Sequence, residues 1–417
     1  MEKEERVKNG GLRSFDFRRY TMLIALIALM VVFQILIVAT GNGNFFAPTN
    51  ITNLIAQNSY VVILAVGMLI CILTGGNIDL SVGSGVCMIS AIAGVLIVNN
   101  HVNIYLSMAI CIAIGIGVGA FQGYFIAFVR IPAFIVTLAG MLIFRGVGYV
   151  ILGGYTISPF PAEYVRIFNG FIPVDVDIST QMIVTMAVAI GICVVFIASQ
   201  VISRIRKQRK LYAVEPLWAM IVKLAVISAV IIAAFWLLGL NKGIPIVLIT
   251  LGVIVFVYQW YTSKTVSGRH LYAMGGNEKA AIFSGVNTNK VMFLAYTNMG
   301  FLVAVASLVC IARFNSAAPT AGTGYELDAI GACFIGGASA YGGVGTVGGT
   351  VIGAVFMGVL NNGMSILGID ANWQRAVKGA ALLVAVFLDV QARRKRGGST
   401  KGIFGTGRPK IVKPSTT

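Results

Sequence analysis

TMLIALIALMVVFQILIVAT (21–40) is a run of twenty residues without a charge. An α-helix of about that length crosses the hydrocarbon core of a bilayer. Inside the core, where no water can bond the backbone, only a structure that pairs its own N–H and C=O groups is viable. The stretch predicts a transmembrane helix. It carries no convincing small-residue cleavage site, so it reads as a retained helix rather than a signal peptide. Working outward, further apolar spans follow at 53–73, 80–98, 104–128, 133–152, 180–202, 217–239, 244–263, 291–312, 326–340, 345–367 and 374–391. The pieces after Asp79 and around 326–340 are Gly-rich, in keeping with short or re-entrant helices. The composition agrees: charged residues make up 11% and hydrophobic ones 58%, against about 25% charged in a soluble domain. A globular chain this apolar could not cover its own surface. The fold class is all-α, a polytopic transmembrane bundle of about twelve helices. A cytosolic enzyme, a secreted disulfide scaffold and a disordered tail protein are excluded.

Charge sets the orientation. The net charge is +17, and its basic residues cluster in 1–19, in 204–210 (Arg204, Arg206, Lys207, Arg209 and Lys210) and in 391–417. Such clusters beside apolar spans mark the cytoplasmic side and meet anionic lipid, not nucleic acid. With the amino terminus inside, the cytoplasmic segments are 1–20, 74–79, 129–132, 203–216, 264–290, 341–344 and 392–417. An even helix count brings both termini to the cytoplasm. The transmembrane domain then spans 21–391, between a basic segment 1–20 and a basic tail 392–417 that lacks periodicity and reads as disordered. The longest outside loop, 153–179, sets Arg166 against Glu163, Asp175 and Asp177, and contains three prolines. It is expected to be partly ordered and to face outward.

Enzyme signatures are missing. The dipeptide Gly-Lys occurs nowhere, so there is no GxxxxGK[ST] phosphate loop, and neither His101 nor His270 stands in an HExxH. No cofactor is expected on this chain; ATP and magnesium, if used, belong to a partner. The six cysteines show no metal-site spacing. Glycines at four-residue spacing, Gly115, Gly119, Gly123 and Gly345, Gly349, Gly353, read first as internal helix packing and second as a subunit interface. Ionisable residues at membrane depth are costly and need a reason. Asp79, before SerValGlySer, reads as a helix N-cap or a pathway residue. Arg145, thirteen residues beyond Pro132, lines a pathway or sits in a buried structural pair. Arg375 and Lys378 read as anchors of a helix start. An acid also precedes a small-residue helix twice, at Asp79 (IDLSVGSG) and at Glu326 and Asp328 (YELDAIGA), a faint echo of two related halves meeting at a central site.

The most informative stretch is GGNEKAAIFSG (275–285). An acid near its start, Glu278, is followed by Ala280, Ala281 and Gly285 in the one sizeable cytoplasmic loop between helices that is not a basic cluster. The residues read as an amphipathic helix, either solvated or shaped to dock in another protein's groove. With LAVGMLICILTGGNIDLSVGS (64–84), IPAFIVTLAGMLIFRG (131–146), GRHLYAMGGNEKAAIFSGV (268–286) and PTAGTGYELDAIGACFIGGASAYGGVGTVGGTVIGAVFMGVLNNGMSILG (319–368), the chain resembles the permease subunits of bacterial monosaccharide ABC importers, the ribose, xylose and galactose permease family. The wording of the last segment is similar to the multiple-monosaccharide and xylose permeases.

The resemblance implies a multi-pass protein of the bacterial inner membrane that pairs with a second permease copy. It implies a sugar-import ATP-binding subunit docked on a coupling helix that includes Gly275, Gly276, Asn277, Glu278, Ala280, Ala281 and Gly285, and an extracytoplasmic sugar-binding protein. It also implies a core of about ten helices, to which 180–239 adds a helix, the basic linker 203–216 and another helix. A neutral, hydroxyl-rich sugar calls for amides and hydroxyls, so Asn58, Asp79, Ser81, Gln122, Arg145, Asn361 and Asn362 are candidates for the translocation path. Two rivals remain open: an ion-coupled secondary sugar transporter, and an ABC permease for branched-chain amino acids.

Overall fold

The structure is a computed structural model and describes residues 21–173, 177–210 and 216–395. The basic segment 1–20, the tail from residue 396 and part of the linker 203–216 lie outside the described residues. The long helices are α1 (Thr21–Ala39), α2 (Pro48–Leu73), α3 (Val82–Gly94, extended by a π-helical turn Val95–Asn99), α4 (Ile104–Ala127), α5 (Ala133–Leu152), α7 (Ile178–Arg209), α8 (Leu217–Gly239), α9 (Ile246–Lys264), α12 (Thr288–Phe314) and α14 (Val347–Ile366). These ten are long and apolar enough to cross a membrane. The expected span 326–340 forms only the eleven-residue α13 (Tyr325–Ile335), and 374–391 lies within α15 (Ala371–Lys395), which carries Arg375, Lys378 and Asp389. Three short helices, α6 (Ala162–Asn169), α10 (Val266–Gly276) and α11 (Glu278–Phe283), sit in the connections.

The spans divide by burial. α2, α3, α12 and α14 are mostly enclosed by the rest of the chain, whereas α1, α4, α5, α7, α8 and α9 leave most of their apolar residues uncovered. Uncovered aliphatics such as Leu142, Val150 and Ile183 suit an outer ring against lipid tails. Among tails as apolar as leucine, helices associate by close packing rather than by a hydrophobic drive. The glycine rows supply that closeness. A Cβ at Gly115 would lie 2.6 Å from the Gly300 carbonyl oxygen, one at Gly119 would meet the Tyr296 carbonyl, and one at Gly353 the Ala332 carbonyl. Both rows are internal seams, α4 on α12 and α14 on α13.

The packing repeats with inverted topology. α2 lies against α13 and α14, as α12 lies against α3 and α4. α3 packs on α5 as α13 packs on α15, and α2 and α12 meet in the centre. Each central helix ends in a non-helical break, 74–81 after α2 and 315–324 after α12, from which a shorter helix starts back inside the bundle. The two new starts touch: a Cβ at Gly83 would meet the Gly322 carbonyl and the Glu326 carboxylate. Two halves related this way, with discontinuous helices at the centre, are the architecture of many transporters.

The ends of the bundle differ. At one end the 74–76 turn, α10 and the 340–345 loop close on one another: the Gly343 N–H donates to the Leu73 carbonyl at 3.2 Å, and the Tyr272 hydroxyl to the Gly345 carbonyl at 2.9 Å. Burial pushes the Tyr272 phenol above its ordinary pKa. At the opposite end the 153–179 loop folds onto the bundle. Tyr164 on α6 is fully buried and donates to the Leu308 carbonyl at 2.7 Å. Ile157 pairs with Ala317, and a two-residue strand β1 (Phe171–Ile172) pairs antiparallel with β2 (Ile244–Pro245). Asp177 caps α7, and bonds from the Ser179 and Thr180 hydroxyls and the Thr180 N–H hold its carboxyl down at about 2. α7 and α8 pack chiefly on each other, and α8 reaches α2.

Candidate functional site

The interior polar groups gather at the two breaks. In the first, the Ser81 N–H and hydroxyl both donate to Asp79 Oδ1, at 2.9 and 2.7 Å, and Gln122 of α4 donates to Ser81 Oγ at 2.8 Å. Gln122 fits because Gly140 on α5 leaves it a notch, and Tyr296 of α12 donates to the Ile78 carbonyl at 3.3 Å. Three helices, α4, α5 and α12, thus close on the eight-residue loop between α2 and α3. Asp79 is not itself the N-cap, because α3 begins at Val82 with Ser81 in the cap position. Its carboxylate instead closes the turn that feeds the helix. The space beside Asp79, Ser81 and Gln122 is about 10 Å³, room for one water and far too small for a sugar.

In the second break, Arg145 of α5 donates to the Pro319 and Ala321 carbonyls at 3.1 and 2.6 Å. Non-helical backbone at membrane depth survives only where protein or water satisfies it, and one guanidinium here serves two carbonyls. Just beyond, Lys378 of α15 pairs with Asp328 at 2.9 Å, and Asn361 of α14 lies 3.5 Å from the same carboxylate. Lys378 is therefore a partly buried partner of the buried Asp328, not an anchor at a helix start. Tyr60 and Tyr325 stack at 4.3 Å across α2 and α13.

Two further path candidates are structural. Asn58 is buried, donates to the Ala354 carbonyl at 2.7 Å, and fills the gap over Gly358. Asn362 exchanges hydrogen bonds with Asn50 at 2.9 and 3.1 Å. Both hold α14 to α2. Asn58 and Asn362 thus act as helix clamps in this structure, as an amide between helices finds a backbone or side-chain partner.

The candidate coupling segment is a helix–break–helix at the end bearing the 74–76 and 340–345 turns. Asn277 caps α11 by accepting the Ala280 N–H at 3.0 Å. Burial sorts the seven residues named from the sequence. Gly275 is packed inward, where a Cβ would meet the Leu73 carbonyl, and Ala281 is 4% exposed. Of the two, only Ala281 is buried; Gly275 stays partly exposed. Gly276, Asn277, Ala280 and Gly285 face outward, with Glu278 at the rim. The residue missed by small-residue reasoning is Phe283, 90% exposed beside the half-exposed Ile282. Its sequence signal was an aromatic at the end of an otherwise small and polar segment. Arg130, also missed, donates to Glu278 at 2.9 Å and to Asn289.

Together the inverted halves, the paired helix breaks and the membrane-length spans define a multi-pass transport permease. The comparisons agree. The profile of the family described as "Branched-chain amino acid transport system / permease component" matches residues 50–386, and the chain belongs to that family. It is 36% identical over 386 residues to the xylose transport system permease protein of Escherichia coli (strain K12), covering 93% of this chain and 95% of that one. It is 37% identical over 384 residues to the corresponding xylose protein of Haemophilus influenzae, covering 92% and 99%. It is 37% identical over 366 residues to the ribose import permease protein of Escherichia coli (strain K12), covering 88% and 92%. No solved structure matches the chain significantly.

Proposed function

We propose that the chain is the membrane-spanning subunit of an ATP-binding cassette importer for monosaccharides, driven by a separate ATPase that docks on α11. The family description is that of branched-chain amino acid permeases, but the relatives that span the whole chain are named for xylose and ribose, which favours a sugar. The observation that carries the docking surface is Phe283. An aromatic 90% exposed on a short helix beyond the membrane spans has neither lipid nor core to cover it, and Ala280 and Gly285 beside it allow close approach. Exposed aromatics of this kind anchor interfaces by filling a partner's pocket.

On this reading the α10–α11 end faces the cytoplasm with both termini. The end bearing α6, β1 and β2 faces outward and receives a sugar-binding protein. The one-water space beside Asp79 supports a path formed against a second copy of the permease rather than through one chain. Phe283→Ser is expected to leave the protein inserted but to reduce co-purification of the ATPase at least about tenfold, the effect of losing an interface anchor worth about 2 kcal/mol. Retention of the ATPase at the parent level by Phe283→Ser and Ala280→Trp would show that α11 is a solvated helix. The Trp substitution belongs at Ala280 rather than Gly285, whose φ of +83° strains any side chain.

A further inference from the structure

The geometry points to Arg130 as a positioning residue that passes displacement of the docking helix into the membrane. This inference rests on the reading of α11 as the ATPase contact. Arg130 lies in the short connection between α4 and α5, two residues before Pro132, which precedes the first turn of α5. Its φ is +64°, a left-handed conformation that costs a non-glycine residue strain and persists only where the surroundings impose it. The strained backbone aims the guanidinium at two acceptors. One is Glu278, the first residue of α11, at 2.9 Å; the other is Asn289, in the first turn of α12. One side chain thus ties the start of α5 to both sides of the α11–α12 connection.

The rest of the line is already built. From Arg130, α5 runs inward beside α3, and Arg145 lies thirteen residues along it, about 20 Å at the helical rise. Arg145 grips the Pro319 and Ala321 carbonyls of the second break, from which α13 starts. One helix, with Arg130 just before its start and Arg145 thirteen residues in, therefore connects the docking helix to the discontinuous segment at the bundle centre. The outer cation is half exposed, as is Glu278, so the pair adds little to folding stability. Its geometry, not its energy, is what it contributes. A lone solvated pair would not need a left-handed arginine to make it.

The test separates transmission from docking and from folding. Arg130→Gly removes the guanidinium while easing the left-handed backbone, so it does not endanger the fold. Arg130→Glu alone repels Glu278. The double variant Arg130→Glu with Glu278→Arg rebuilds the pair with its signs exchanged, and Asn289, an amide, can donate as readily as accept. Each is expressed with its ATPase, and co-purification, basal ATP hydrolysis and sugar uptake are measured. Arg130→Gly is expected to keep the ATPase bound and its basal hydrolysis at the parent level, while sugar accumulated per ATP falls about tenfold, within the range seen for residues that modulate coupling. Arg130→Glu should fall at least as far, and the exchanged pair should recover most of the loss. Parent-level uptake in Arg130→Gly, or no recovery in the exchanged pair, overturns the proposal. Loss of the ATPase in Arg130→Gly also overturns it, by making Arg130 part of the docking face. Phe283→Ser with the ATPase still bound would instead refute the docking assignment itself, an outcome visible without any Arg130 variant.

Discussion

The two helix breaks occupy equivalent places in the inverted halves, yet different chemistry holds them. At 74–81 the acid Asp79 is satisfied by its own loop, through the Ser81 N–H and hydroxyl, and the neutral Gln122 donates in turn to Ser81 Oγ. At 315–324 two cations do the work: Arg145 on the carbonyls of 319 and 321, and Lys378 on Asp328. The first arrangement is local and neutral in its partners. The second is long-range and ionic, and it draws on α5 from the opposite half of the chain. A break held by hydroxyls and amides can re-pair in small steps. A break held by partly buried charges has few acceptable alternatives, because a separated charge must find another partner. The first break can thus adjust in place, and the second, on the proposal above, moves only together with α5.

The largest expected effect comes from Lys378→Met. It strands Asp328 in the interior, and breaking a buried pair from one side costs about 3–5 kcal/mol. The melting temperature in detergent should fall clearly, and Asp328→Asn combined with Lys378→Met should recover most of the loss. Failure of the double variant to recover would mean that the pair does not hold α13 to α15. A smaller effect is expected for Arg145→Met, about 1–3 kcal/mol in all, because the contacts to both carbonyls are only part-buried and water can replace the guanidinium. A single cysteine placed at Thr320 should then become more reactive to a small thiol reagent, and unchanged reactivity would remove Arg145 from the second break. The smallest effect is expected for Gln122→Leu, about 1 kcal/mol. Asp79 keeps both bonds from Ser81 in that variant, so uptake should persist. A loss as large as that of Lys378→Met would erase the distinction between the two breaks.

Much of the bundle was legible in the sequence. The charge-free run at 21–40 and nine of its eleven successors mark membrane-length helices, because lipid leaves no alternative to an apolar helix, whereas 326–340 and 374–391 do not. The acids at Asp79 and Glu326 flagged both breaks, and the glycine rows flagged the two seams. The partners were not legible. Arg145 meets Pro319 across 174 residues, and Lys378 meets Asp328 across 50, so no local pattern joins them. The partners of the asparagines were hidden for a related reason. Polarity at membrane depth marks a residue that needs a partner, and Asn58 and Asn362 find theirs on a neighbouring helix rather than on a substrate. In the 275–285 segment the small residues drew attention first, whereas in the structure Gly275 packs inward, Ala281 is buried and Phe283 stands out.

The central claim is that ATP hydrolysed on another subunit drives this chain through the α11 end. Proteoliposomes holding the permease with its ATPase and its binding protein test it most directly, by uptake of a labelled pentose. Accumulation should require ATP on the α11 side, persist when a protonophore abolishes any gradient, and be lost with Phe283→Ser. Accumulation driven by a proton or sodium gradient without the ATPase would contradict it and make the chain a secondary transporter.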